Sequence, residues 1–146
     1  MAIRWTDTSA CVSLPRLANR GDRLDVHVDT AVDATVAQHL SSARVELGGL
    51  LVGVAFRAQA GPVTHVAIMR AIPAAQSDGT SVSLRMGTSV WQHAQAAMAP
   101  GELIVGWYHS HPGLTAFFSD TDRQTQRAFF AHDYSIGWVI DPLLGD

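Results

Sequence analysis

The sequence predicts a single α/β domain. Short apolar segments with a two-residue repeat alternate along the chain with segments whose apolar residues recur at helical spacing. Apolar residues make up 47% of the 146 positions and charged residues 16%, enough for one sizeable core and against disorder over most of the length. The stretch from Leu47 to Phe56 is almost continuously apolar, as expected of a strand covered on both faces.

Taken in order, residues 1–23 are mixed in character and read as an N-terminal extension ahead of a domain at 24–146. Pro15 and Asn19–Asp22 mark loop, with room for a short strand at Ala10–Leu14. Leu24–Val28 alternates apolar and polar like a strand. Asp29 or Thr30 is placed to cap a helix in which Val32, Val36, Leu40 and Ala43 recur at helical spacing. The buried strand at 47–56 turns at Gly61-Pro62 into a second strand, Val63–Ile72. Pro73–Thr80 is polar and turn-prone, the best candidate for a mobile loop. Strand-like Ser81–Met86 leads to a helix over Ser89–Met98, stopped by Pro100-Gly101. A strand at Leu103–His111, a helix at Ser119–His132 and a strand at Ser135–Ile140 complete the layout, with no repeat and no low-complexity tract.

Several function classes fall away on composition. A formal net charge of −3 offers no electrostatic reason to expect nucleic acid as a partner. Cys11 is the only cysteine, so an internal disulfide and a cysteine-built zinc site are excluded. The N-terminus lacks the pattern of a signal peptide, and the longest apolar run, Leu47–Phe56, is too short and glycine-rich to span a bilayer. A cytoplasmic location and no membrane partner are the default expectation. All ten basic side chains are arginines. Coding bias explains this most simply, although an enzyme working beside lysine-directed conjugation also gains by offering no lysine.

The segment Trp107–Asp122, WYHSHPGLTAFFSDTD, carries the chemistry. His109 and His111 lie two apart on a strand and therefore project from the same face. A turn at Pro112-Gly113 lets the following helix bring Asp122 back toward the two rings. Two imidazoles and a carboxylate form a set that zinc accepts while one position stays open for water. The plain alternative makes both histidines ordinary polar residues at a strand end. Ser119 and Asp122 also form a capping-box-like helix start, a reading compatible with metal binding because a capped first turn holds Asp122 rigid. His132 reads as a surface residue favoured by the helix dipole. His27, His39, His65 and His93 lack partner spacing and read as structural. Neither Cys11 nor any serine has a nucleophile context such as Gly-x-Ser-x-Gly.

His109-Ser110-His111-Pro112 followed by Ser119 and Asp122 resembles the JAMM signature of MPN-type zinc metalloproteases. Glu46-Leu47-Gly48-Gly49-Leu50-Leu51-Val52-Gly53 is similar to that family's upstream glutamate segment, and the likeness extends over residues 24–142. The resemblance implies a single MPN (cytidine-deaminase-like) domain with a central mixed β-sheet flanked by helices. It implies one catalytic Zn2+ held by His109, His111 and Asp122, with Glu46 as general base and the Ser119 hydroxyl stabilising an oxyanion. The only other glutamate, Glu102, follows Pro100-Gly101 and reads as a solvated turn position. The implied activity is hydrolysis of amide or isopeptide bonds at the C-terminus of a ubiquitin-like protein, of bacterial or archaeal type, in deconjugation or precursor processing. The segment Leu114–Ser119 resembles the deubiquitinating branch. Two other readings stay open: a hydrolase processing a sulfur-carrier protein, and a non-catalytic MPN scaffold. Gly48 stands where sulfur-carrier relatives often have cysteine, which favours deconjugation. Related domains usually continue past Ile140 with further strands and a helix. The expectation is therefore a C-terminally trimmed domain, or an edge covered by a partner subunit or a second copy.

Overall fold

A computed structural model describes residues 2–6, 25–42, 46–57, 63–74, 88–111, 119–130 and 134–142. In chain order the elements are β1 (Ala2–Thr6), β2 (Asp25–Asp29), α1 (Thr30–Leu40), β3 (Gly48–Arg57), β4 (Val63–Pro73), α2 (Thr88–Ala97), β5 (Leu103–Ser110), α3 (Asp120–Phe129) and β6 (Ile136–Ile140). Among the described residues the strands form one six-stranded sheet in the order β1-β2-β4-β3-β5-β6. The pairs β1/β2, β2/β4 and β5/β6 are parallel, whereas β3 runs antiparallel to both β4 and β5. The sheet is mixed because β3 and β4 follow each other directly, while α3 provides the crossover that a parallel β5/β6 pair requires.

Of the two caps the sequence allows for α1, Asp29 serves: its carboxylate accepts a hydrogen bond from the Ala31 N–H at 3.0 Å, and Thr30 is the first helical residue. Its buried stripe is Val32, Val36 and Leu40. The helix ends at Leu40 with Ser41 as C-cap, and Ala43 lies outside the described residues. Strand β3 is buried from both sides, as its apolar run predicts. Leu51 packs with Val26, Val28, Val36, Leu40, Val66, Ile68 and Tyr108 on the α1 side. Leu50 and Val52 face the other way, against Val90, Ala94, Trp107 and Phe130. Burying these side chains contributes about 1.5–3 kcal/mol each. The central strand is therefore held by both layers.

Two differences from the sequence-based layout have structural causes. Strand β1 is not among the predicted elements; five residues are too few to show a period, and pairing with β2, Ala2 opposite Asp25 through Thr6 opposite Asp29, is what orders them. Helix α3 stops at Phe129, short of His132, because Phe130 leaves helical backbone angles (φ −133°, ψ 53°) and buries its ring in the second core cluster. Glycine is required at Gly106, where a Cβ would collide with the Ile136 carbonyl of the adjacent strand. The predicted strands at Ala10–Leu14 and Ser81–Met86, the Gly61-Pro62 turn, the loop from 75 to 80 and His132 lie outside the described residues. No helix among the described residues is long and apolar enough to cross a membrane.

Candidate metal centre

Alternation along β5 puts Trp107, His109 and His111 on one face of the sheet, and all three are buried. Helix α3 presents Asp122 to that face from its first turn. The turn is locked by a reciprocal capping box: the Ser119 Oγ accepts from the Asp122 N–H at 3.1 Å, and the Asp122 Oδ2 accepts from the Ser119 N–H at 2.8 Å. The carboxylate spans both rings, with Oδ1 2.9 Å from His109 Nε2 and Oδ2 3.3 Å from His111 Nε2. One ligand atom from each of the three residues lies within 4.8 Å of the others. Among the described residues this is the one group of three or more such side chains so placed.

Glu46 comes from the other segment. It precedes β3, whose ladder with β5 sets Gly48 opposite His109. Beyond the ladder, the Ser110 N–H donates to the Leu47 carbonyl at 2.9 Å and the Leu47 N–H donates to the Ser110 Oγ at 3.0 Å. This clamp delivers Glu46 to the rim, its Oε1 3.5 Å from His111 Nε2 and its side chain 38% exposed. The ligand-type side chains are thus buried, while the carboxylate beside them faces outward.

Burial by itself raises the Asp122 carboxyl pKa. Hydrogen bonds from His109 and from the Ser119 backbone, with the positive character of His109 and the Ser119 hydroxyl, outweigh it and hold the group below the usual carboxylate range. Asp122 is therefore an anion near neutral pH, the form in which a carboxylate ligates a metal.

The fold brings together His109, His111, Asp122, Ser119 and Glu46, the residues singled out in the sequence. Glu102 differs from its expected solvated position: its side chain is 4% exposed, and it accepts hydrogen bonds from Arg70 at 2.8 and 3.2 Å and from the Ala99 N–H at 2.6 Å. Burial is tolerated there because three donors replace water. His65 is buried 3.6 Å from Asp25, and His39 Nδ1 lies 2.8 Å from the Tyr108 hydroxyl. Burial lowers the His39 pKa and raises that of Tyr108 well above the ordinary phenol range. Residue patterns missed three contributors: Ser110, which clamps Leu47, and the Trp107–Gln126 pair beside His109. Gln126 lies four residues after Asp122, so its place on the same helix face was the one available signal.

A mixed sheet flanked by helices, carrying a buried pair of histidines and an aspartate with a glutamate at the rim, defines a protein with a candidate single-ion centre. Residues 29–141 match the family described as prokaryotic homologs of the JAB domain, and the chain belongs to that family. Its fold is accordingly a single JAB/MPN domain. The NAD(+) hydrolase TcpA of Theionarchaea archaeon (strain DG-70-1) is 37% identical over 105 residues, which is 70% of this chain and 29% of that protein. The 26S proteasome non-ATPase regulatory subunit 14 of Dictyostelium discoideum is 29% identical over 81% of this chain and 39% of its own length. The ubiquitin carboxyl-terminal hydrolase RPN11 of Saccharomyces cerevisiae is 34% identical over 44% of this chain and 23% of its own. The chain thus corresponds to less than two-fifths of each of these relatives.

Proposed function

We propose that this chain is a zinc-dependent metalloprotease that hydrolyses amide or isopeptide bonds at the C-terminus of a ubiquitin-like protein. The observation that carries the reading is the convergence of three buried donors, His109, His111 and Asp122, with the Glu46 carboxylate on their exposed side. The donor set fits zinc: two imidazole nitrogens and one carboxylate leave a fourth position open, and all three side chains are already packed in place. An ion there supplies Lewis acidity toward the scissile carbonyl and brings the pKa of a bound water from about 16 to near 7.

The remaining work falls to the chain's own residues. Glu46, reachable from solvent, takes a proton from the attacking water and returns it to the departing amine, a role worth about 10²–10⁴ in rate. The Ser119 hydroxyl, whose Oγ accepts from the Asp122 N–H beside the ligand set, would turn its proton toward the carbonyl oxygen as negative charge develops there. An extended C-terminal tail would gain affinity by adding main-chain hydrogen bonds to an exposed strand edge. Support for a ubiquitin-like substrate comes from the matched ubiquitin carboxyl-terminal hydrolase, and Gly48 in place of cysteine favours deconjugation over sulfur-carrier processing.

The test pairs metal content with turnover. The parent chain should bind about one zinc, and Glu46→Gln should keep the ion while losing at least a hundredfold in kcat. Undiminished cleavage of a ubiquitin-like isopeptide by Glu46→Gln would refute the assignment. Cleavage of linear extensions only would redirect it to precursor processing.

A further inference from the structure

Beside the candidate centre lies an aromatic stack that the proposed chemistry does not use. The Trp107 indole lies flat on the His109 ring, with centroids 4.4 Å apart and planes 9° from parallel. Phe130 also stacks on the indole, at 5.7 Å and 6°, and in turn stacks on Trp91 at 5.7 Å and 20°. The edge of the indole is tethered within this layer, its Nε1–H donating to the Gln126 Oε1 at 2.6 Å. Gln126 is itself held, its Nε2 donating to the Phe130 carbonyl at 3.1 Å.

The spacing on α3 ties the stack to the ligand set. Asp122 and Gln126 lie four residues apart on one face of α3, and Phe130 is its C-cap: Asp122 meets His109, Gln126 meets the Trp107 edge, and Phe130 meets the Trp107 face. One helix face therefore sets both the carboxylate that joins His109 and the clasp on the ring beneath it. The torsion that turns a histidine ring about its own axis is intrinsically soft. A ligand ring must nevertheless keep its nitrogen aimed within about 10–20° for tight binding.

We infer that Trp107, clasped by Gln126, is a positioning residue that holds the His109 imidazole in the plane required to bind a metal ion. The inference rests on the metal-centre reading above. A purely structural stack would add to folding stability and leave ion affinity untouched, whereas this one sets affinity by fixing the ring before the ion arrives.

The experiment is a competitive zinc titration against a chromophoric chelator, on the full chain in four forms: parent, Trp107→Phe, Gln126→Leu and the double variant. Trp107→Phe keeps a stacking ring and removes the N–H; Gln126→Leu keeps the volume and removes the acceptor. Each single variant should bind zinc about tenfold more weakly, the range found for groups that orient metal ligands. The double variant should bind no more weakly than the weaker single, since both remove the same hydrogen bond. Gln126→Glu, which keeps an acceptor for the indole N–H but loses the donor to the Phe130 carbonyl, should bind zinc more tightly than Gln126→Leu and more weakly than the parent. Circular dichroism of the metal-free forms identifies variants that have not folded, and where Gln126→Leu fails, Trp107→Phe and Gln126→Glu carry the comparison. Affinity within twofold of the parent in a folded Trp107→Phe, or losses that add fully in the double variant, would overturn the clasp. A parent that binds no zinc would overturn the metal centre as well, which separates the two failures.

Discussion

Replacing Ser110 by Ala removes one oxygen from a fully buried position, and its effect can be worked out from two hydrogen bonds. The Oγ accepts from the Leu47 N–H at 3.0 Å, while the Ser110 backbone N–H, untouched by the change, keeps its bond to the Leu47 carbonyl at 2.9 Å. The orphaned Leu47 amide then costs about 1–3 kcal/mol of stability. For a chain of this size that lowers the melting temperature by about 2–12 °C. The functional effect follows from adjacency: Leu47 precedes β3 and follows Glu46 directly, whereas His109 and His111 keep their own strand pairing. A loosened Glu46 should lower kcat by about tenfold to a hundredfold, or about 1.4–2.7 kcal/mol of barrier, with zinc content and KM unchanged. Urea denaturation, metal analysis and steady-state cleavage read the three quantities separately. Unchanged kcat in a variant that has lost stability would refute the clamp's role in placing Glu46. Lost zinc with normal turnover per bound ion would show that Ser110 serves the ligands instead.

Removal of the ion or of a ligand should act together with activity. Treatment with a chelator should abolish cleavage and added zinc restore it, while His111→Ala should lose both metal and turnover under inductively coupled plasma analysis and a peptide-release assay. The His39–Tyr108 contact predicts a pH effect. Burial lowers the His39 pKa in the folded protein, so the unfolded chain binds this proton more readily. Stability is therefore full above the unfolded value of about 6.5 and falls as pH drops below it toward the folded value. In paired denaturation curves between pH 8 and pH 5, His39→Gln should reduce this acid-side loss relative to the parent; identical curves would contradict it.

The site was partly legible because two of its parts are local. His109 and His111 share a face through the two-residue period of a strand, and Ser119 and Asp122 share a capped first turn through a four-residue motif. Both are consequences of backbone geometry over a few positions. Helix α1 was legible for the same reason, with its Asp29 cap and its Val32, Val36 and Leu40 stripe. Glu102 was misread because its surroundings in sequence are a solvated turn, whereas its partners, Arg70 and the Ala99 amide, are gathered by folding. Ser110 stood inside the His-Ser-His-Pro pattern with no role assigned to it, and Gln126 offered only its four-residue spacing from Asp122. Their roles exist only where α3 and β3 meet β5.

The amino-acid order alone determined which side chains could ligate an ion, since residue type and short-range period decide that. Tertiary structure decided that β3 pairs with β5, and so set Glu46 3.5 Å from a histidine sixty-five positions further along the chain. It also decided the sheet order and the ring stacked on His109. Strand pairing is selected by the burial of both faces of β3 against two separate layers, and no local window of sequence contains both.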